Sequence, residues 1–361
     1  MNFTSAALVD AAQMLAAKIS NVFLTPSSVF WAPTLLSALL IAALSLSWAR
    51  LRTGRRVRPA ALIKTLFPAG LLRSPSTKAD VGLFLFNAFP AGLLVGAMIL
   101  SADQFSAPVT GLLVRAFGPS PAISPPPGVK TAIITVALYL AYEFGYWLDH
   151  YLSHKIPMLW EFHKVHHTAE VLSPLTVFRV HPVDTLVFLN ILSVVVGGVS
   201  GVLHYVFDAP PLSAMMFGMN VFLIAFTFLT VHLQHSHIWI SFPGVLGRIL
   251  LSPAHHQVHH SDNPIHFDKN FGSCLSVWDW AFGTLYVPGR HREPLRFGVH
   301  IEAGKPSPHS VTGTLISPFA ACLGLVRRAC GRAQTDATPP VATESPPPPA
   351  SRRATSLAAH P

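Results

Sequence analysis

The sequence predicts an all-α fold: a polytopic membrane helix bundle with a cytoplasmic, histidine-rich cap holding a di-metal site. Three observations predict it. Of the 361 residues, 51% are hydrophobic and only 11% are charged, against about a quarter charged in an ordinary soluble protein. Several stretches carry the roughly twenty apolar residues that a helix needs to cross a hydrocarbon core. Nineteen histidines are present, and most crowd into a few short polar segments.

The apolar stretches, in chain order, are 29–49 (VFWAPTLLSALLIAALSLSWA), 81–100 (VGLFLFNAFPAGLLVGAMIL), 129–148 (VKTAIITVALYLAYEFGYWL), 183–207 and 211–231. The last two are separated only by a short Asp-Ala-Pro-containing linker, so they pair as a helical hairpin. A weaker stretch at 312–326 reads as a core or interfacial helix. Residues 332–361, rich in Pro, Ala, Ser and Thr, read as a disordered tail without a catalytic role. No cleavable signal peptide is expected within the first 28 residues. The chain thus divides into an N-terminal membrane region with two spans and a basic loop (1–128), a catalytic region (129–300), a C-terminal segment (301–331) and the tail (332–361).

Orientation follows from charge. Residues 50–78 hold Arg50, Arg52, Arg55, Arg56, Arg58, Lys64, Arg73 and Lys78 and no acid. The positive-inside rule makes this loop cytoplasmic. Counting spans from there places the histidine-rich stretches on the same face. The net charge of +9 lies mainly beside apolar runs and in the tail, so it reads as a topology signal and a lipid-headgroup contact and not as a nucleic-acid site. Cys274, Cys322 and Cys330 form no CxxC pair, which argues against a disulfide framework or a cysteine zinc site.

Four clusters carry the chemistry. His150 and His154 are spaced i and i+4, which puts both rings on one helix face. His163, His166 and His167 form HxxHH, and His256, His259 and His260 repeat it. The segment VHLQHSH offers His232, His235 and His237. Protonated imidazoles repel, so about ten of them on one face are best explained by a bound metal that fixes the rings in their neutral form. One ion takes four to six ligands, so about ten histidines imply two ions. Imidazole alone does not choose between iron, zinc and copper. HExxH is absent, which argues against a zinc peptidase.

The order HxxxH, HxxHH, a histidine pair after a hydrophobic hairpin, and a final HxxHH followed by NFGSCLSVWDWAFGTLY (270–286) resembles the fatty acid hydroxylase and sterol desaturase superfamily of membrane di-iron oxygenases. The matching stretch includes YEFGYWLDHYLSH (142–154), LWEFHKVHH (159–167), FRVHPVD (178–184) and SPAHHQVHH (252–260). The resemblance implies two non-haem irons, dioxygen, a membrane lipid such as a fatty acyl chain or sterol that is hydroxylated or desaturated, and a separate electron donor of cytochrome or ferredoxin type. Carried over position by position, the ligands are His150, His154, His163, His166, His167, His232, His235, His256, His259 and His260. His237 could replace either partner of the third cluster.

His181, His255, Asp149, Glu161 and Asp262, with His237, are the candidates for orienting ligand rings from behind. The plain alternative for His181 is a helix-entry residue before Pro182. Trp278 and Trp280, on either side of Asp279, read equally well as interfacial anchors. The competing function is a non-enzymatic membrane metal protein, a zinc carrier or a regulatory relic of the oxygenases. A carrier should place metal-binding residues within its spans, where Glu143 is the lone acidic candidate. A serine hydrolase would want GxSxG, which is absent.

Overall fold

The computed structural model describes residues 13, 16–17, 20–26, 28–299 and 307–336. Helix α1 (Ala32–Arg52) is uncharged until its last turn, where Arg50 and Arg52 meet the negative end of the helix dipole. The basic loop beyond it forms the short helices α2 (Pro59–Leu66) and α3 (Ala69–Leu72). Helix α4 (Pro75–Phe86), a π turn (Asn87–Ala91) and α5 (Gly92–Gly96) then follow one another without a gap. This run starts and ends earlier than the span expected over 81–100. Ser74 caps its start by accepting from Ser76 N, and the π turn absorbs Pro90, which has no N–H to give an α-helix.

Helix α6 (Ala102–Phe117) opens with a capping box made by Ser101 and Gln104. The central elements are α7 (Pro127–Lys155), α8 (Pro157–His167) and α9 (Pro182–Phe207), each begun by a proline that has no donor to waste in the first turn. Among the described residues, α1, α7 and α9 are long and apolar enough to cross a membrane. Helix α9 packs on both α6 and α7. Its contact with α6 depends on Gly197 and Gly201, where a Cβ would fall 2.3 Å from the Ala102 carbonyl oxygen and 2.5 Å from that of Ser106. Small residues four apart let two helix backbones approach this closely.

Residues 211–231 differ from the expected span. Strands β1 (Met215–Met216) and β2 (Met219–Asn220) form a hairpin, turned by Phe217 and Gly218 at positive φ. Thr135 of α7 fixes it, accepting from Ala214 N at 2.7 Å and, through its carbonyl, from Asn220 Nδ2 at 3.0 Å. Asn220 then caps α10 (Val221–Phe226), which continues through a π turn (Thr227–Val231) into α11 (His232–Gln234). At about 1.5 Å per residue this run reaches roughly 21 Å, short of a hydrocarbon core of about 30 Å.

Short helices α12 (Val245–Ile249), α13 (Pro253–His259) and α14 (Val277–Ala281) carry the final histidines and the loop behind them. Helix α15 (Val311–Asp336) covers the expected 312–326 helix and continues into the segment expected to be disordered. It packs on α8 through Phe319 and Phe162, whose rings lie 5.2 Å apart. Residues 337–361 of the expected tail lie outside the described residues.

A buried ion pair ties these parts together. Arg179 and Asp80, both 0% exposed, meet at 2.7 Å. Arg179 also donates to Thr168 Oγ1, just past α8, and to the Pro308 carbonyl ahead of α15. One guanidinium therefore fixes α4, the end of α8 and the start of α15 in register, and its planar fork suits several fixed acceptors.

Candidate metal centre

Local backbone chemistry brings the histidines together. Ile156 precedes Pro157 and is extended (φ −94°, ψ 114°), as a residue before proline must be. Helix α7 therefore stops at Lys155 and α8 turns back beside its last turns, so His154 faces His163 and His167. Ser252 N-caps α13, and His255 completes that cap: its Nδ1 accepts from Ser252 N at 3.2 Å. The cap sets the start of α13 and so aims His256, His259 and His260.

The histidines sort into two groups whose ligating atoms lie within 4.8 Å of one another: His150, His154, His163, His167 and His259 in one, and His166, His235, His256 and His260 in the other. Each HxxHH helix feeds both groups. On α8 the i, i+4 pair (His163, His167) joins the first and His166 the second. On α13 the i, i+4 pair (His256, His260) joins the second and His259 the first. Residues i and i+4 lie on one helical face, and the i+3 residue can turn to a neighbouring point. Adjacent histidines in this motif thus turn to two different groups rather than crowding one.

The rings present themselves as metal-binding bases. In the second group Nε2 of His235 lies 3.1 Å from that of His166, 2.9 Å from that of His256 and 3.2 Å from that of His260. Two imidazole nitrogens bound at about 2.1 Å and at right angles around one ion would lie about 3.0 Å apart. In the first group the Nε2 atoms of His150, His163 and His259 are buried with no hydrogen-bond partner. Buried polar atoms seldom go unpaired, and inward-facing lone pairs on nine buried or nearly buried rings fit a pair of metal ions. Burial, reinforced by neighbouring histidines, holds His166, His167, His256, His259 and His260 well below the usual imidazole range. Burial brings His235 to about 3. His163 is the exception. Burial pulls it down, but the charge and hydrogen bond of Asp184 outweigh that and raise it.

Outer contacts brace the first group. His150 Nδ1 donates to the Phe271 carbonyl at 2.9 Å, His259 Nδ1 to the Lys269 carbonyl at 2.8 Å and His163 Nδ1 to Asp184 at 3.1 Å. Such partners fix the tautomer and leave Nε2 free to bind. The loop supplying the carbonyls is itself held. Asp279 accepts from the backbone N–H groups of Phe271 and Gly272, both at 2.8 Å, and from Trp147 Nε1 at 3.2 Å. Glu143 of α7 accepts from the backbone of Cys274 and Leu275. Asn270, in the left-handed region at φ 60°, bridges the His255 carbonyl and Tyr286 N.

Two cavities flank the centre. One, of about 500 Å³, has His150, His163, His166 and His235 at its inner end and continues between α5 and α9 along Val95, Ile99, Phe188 and Leu189. Gly96 and Ile99 are exposed, so it opens on the apolar exterior. The other, of about 650 Å³, is lined by His154, His167, His259 and His260 together with Trp160, Glu170, Asp262 and Asp268. The apolar and polar cavities therefore each reach both groups, through different histidines.

The sequence model of the fatty acid hydroxylase family matches residues 135–284, a segment that contains all nine clustered histidines. Residues 135–284 are a fatty acid hydroxylase domain, of the fatty acid hydroxylase/sterol desaturase superfamily. It is similar to the alkylglycerol monooxygenase of Danio rerio, 30% identical over 41% of this chain and 29% of that protein. It is also similar to ornithine lipid hydroxylase OlsE of Rhizobium tropici, 28% identical over 44% of this chain and 43% of the relative, and to human lathosterol oxidase, 24% identical over 52% and 58%. The chain spans less than a third of the alkylglycerol monooxygenase and under two thirds of the other two. No solved structure matches it significantly.

Within this fatty acid hydroxylase domain, nine of the ten histidines carried over as ligands fall in the two groups. His232 does not. An HxxH pair on a continuous helix would share a face, but α11 ends at Gln234 and His235 has left helical backbone (φ −97°, ψ 67°). His235 turns to His166, while His232 points to Thr34 Oγ1 at 3.2 Å and packs on Phe30.

The residues expected behind the ligands also lie elsewhere. His237 donates to the Thr65 carbonyl at 2.7 Å. His181 caps α9, accepting from Val183 N at 3.1 Å, the plain alternative for it. His255 completes the capping box of α13. Glu161 pairs with Lys164, and Asp262 meets Arg296 at 3.5 Å. Asp149 makes no hydrogen bond to any histidine. The partners in their place are Asp184 and two backbone carbonyls. Asp184 follows the histidine of FRVHPVD at helix-start spacing, a signal in the sequence; a carbonyl leaves none.

Proposed function

We propose that the chain is a membrane-bound di-iron oxygenase that hydroxylates, or desaturates, a C–H bond of a lipid such as a fatty acyl chain or sterol, with its histidine centre on the cytoplasmic side. The observation that carries this reading is the junction of an outward-opening apolar cavity with two groups of buried, inward-facing imidazoles. The relatives point the same way: their names describe a monooxygenase, a hydroxylase and an oxidase of lipids.

His150, His154, His163, His167 and His259 would hold one ion and His166, His235, His256 and His260 the other. When bound, two non-haem irons supply the redox chemistry that lets dioxygen attack an unactivated C–H bond. Apart from His163, whose pKa Asp184 raises, the histidines are kept neutral by burial. Asp184 and the Phe271 and Lys269 carbonyls keep three rings in the tautomer whose Nε2 binds. The apolar walls at Val95, Ile99, Phe188 and Leu189 take the hydrocarbon and exclude water from its reacting carbon. Hydroxylation places one oxygen atom of dioxygen in the lipid and the other in water, consuming two protons and two electrons. The electrons come from a separate cytochrome- or ferredoxin-type donor, and the polar cavity beside His154 and His259 is the approach not taken by lipid.

The test is metal content and oxygen uptake of detergent-purified protein, given reductant and membrane lipid extract, beside His259→Ala. Two irons per chain and a lipid-dependent uptake that disappears in the variant are expected. Stoichiometric zinc after iron-replete expression, with no uptake under any reductant, would support the non-enzymatic metal protein instead.

A further inference from the structure

Asp149 is a buried carboxylate of the apolar cavity whose hydrogen-bonding capacity is unspent. It sits on α7 beside His150, is 5% exposed, and its Oδ1 is buried with no hydrogen-bond partner. The cavity's other carboxylate, Asp184, is occupied by His163. Asn87, on the same wall, gives its amide to the Phe178 and Val180 carbonyls at 3.0 and 2.9 Å. An unpaired buried carboxylate costs stability. It is tolerated where a ligand completes it.

We infer that Asp149 is a specificity-determining residue: it accepts a hydrogen bond from a hydroxyl or ammonium group of the lipid, which enters the cavity polar end first. The inference rests on the reading of this cavity as the lipid site. Position decides the orientation. Asp149, His150 and His163 are buried, whereas Val95, Phe188 and Leu189 on the same cavity are half-buried and Ile99 is exposed. A lipid bound by its polar group to Asp149 trails its hydrocarbon toward the apolar exterior. Oxidation then falls within a few bonds of the polar group and not at the far end of the chain. Lipids with a donor are preferred over hydrocarbons or ethers of equal length, because desolvating Asp149 without repairing its hydrogen bond is penalised.

Binding without turnover tests this. The full-length, metal-loaded protein, kept free of reductant, is titrated with radiolabelled hexadecan-1-ol, and unlabelled hexadecylamine and hexadecyl methyl ether compete. Native protein is expected to bind the alcohol and the amine about tenfold or more tighter than the ether. Asp149→Leu removes both preferences. Asp149→Asn, nearly identical in shape, keeps an acceptor for the alcohol but loses the charge, so amine binding falls about tenfold while bound metal is unchanged. This variant carries the test if the leucine variant does not fold. Equal binding of all three probes to native protein, or preferences unchanged in either variant, overturns the anchoring role and leaves the cavity's lipid role standing. No binding of any probe to metal-loaded native protein overturns both.

Discussion

The two histidine groups differ in what stands behind them. In the first, His150, His163 and His259 each pass an Nδ1–H to a carbonyl or carboxylate. In the second, Nδ1 of His235, His256 and His260 is buried without a partner. The same residue type at the same motif spacing therefore gives one braced centre and one held mainly by packing. Outer partners of this kind are worth about 10- to 100-fold in metal affinity. The difference implies two unequal sites, the second more easily emptied and freer to rearrange during a reaction.

The largest effect should come from removing one ligand of each group. His259→Ala and His260→Ala change neighbouring residues of one motif, yet each should strip a different ion. Metal per chain measured by mass spectrometry should fall from two to about one in both, with lipid-dependent oxygen uptake lost in both. If either variant loses both ions together, the groups are one cooperative site and the comparison breaks.

The single-ion variants then sharpen it. In chelator competition, the ion left in His260→Ala, held by the first group, should outlast the ion left in His259→Ala by about 10- to 100-fold. Asp184→Asn removes the charged partner of His163 and should weaken the first site by a similar factor while sparing the second. Equal chelator sensitivity of the two ions would show that the outer contacts do not set affinity.

How much of this was legible follows from where each signal resides. The two HxxHH motifs and the HxxxH pair lie on helices, where spacing dictates facing, and their eight histidines all converge. The division of each motif between two centres was not legible, because it depends on where α8 and α13 cross in space. His232 lies outside both groups because its helix ends two residues later, and no residue type announces that end. Asp149 was expected behind a ligand; its neighbour His150 turns instead to the Phe271 carbonyl, a partner with no sequence signature. Among the spans, 129–148 and 183–207 were plain from hydropathy. The segment 211–231 was equally apolar, but its first half is spent on a hairpin fixed by Thr135.

Acid gives a smaller, graded effect on the metal-free protein. The histidines whose folded pKa is depressed take up protons on unfolding below about pH 6.5, so the stability they contribute is lost as pH falls through that range. Each fully depressed histidine costs about 1.4 kcal/mol per pH unit there. His163 works in the opposite sense: its raised pKa contributes stability below about pH 6.5 that disappears as pH climbs past the folded value. Because His166, His167, His235, His256, His259 and His260 outnumber it, the apoprotein's thermal midpoint should fall between pH 7 and about pH 5.5. Asp184→Asn should steepen that fall by removing the opposing contribution. A midpoint that rises on acidification would mean that the buried rings charge without penalty.

The smallest effect belongs to His232. Its ring is 1% exposed but bonds to Thr34 and packs on Phe30, outside both groups. His232→Phe keeps the aromatic packing and gives up the hydrogen bond to Thr34. The cost is about 1–2 kcal/mol, read as a modest drop in thermal midpoint, with both ions retained and oxygen uptake within about twofold of native. Neighbouring His235→Phe should instead empty the second site. Two histidines three residues apart would then differ in every readout except stability. If His232→Phe instead loses an ion, the ring must reach the centre by a rearrangement of α11, and the second group has a fifth ligand after all.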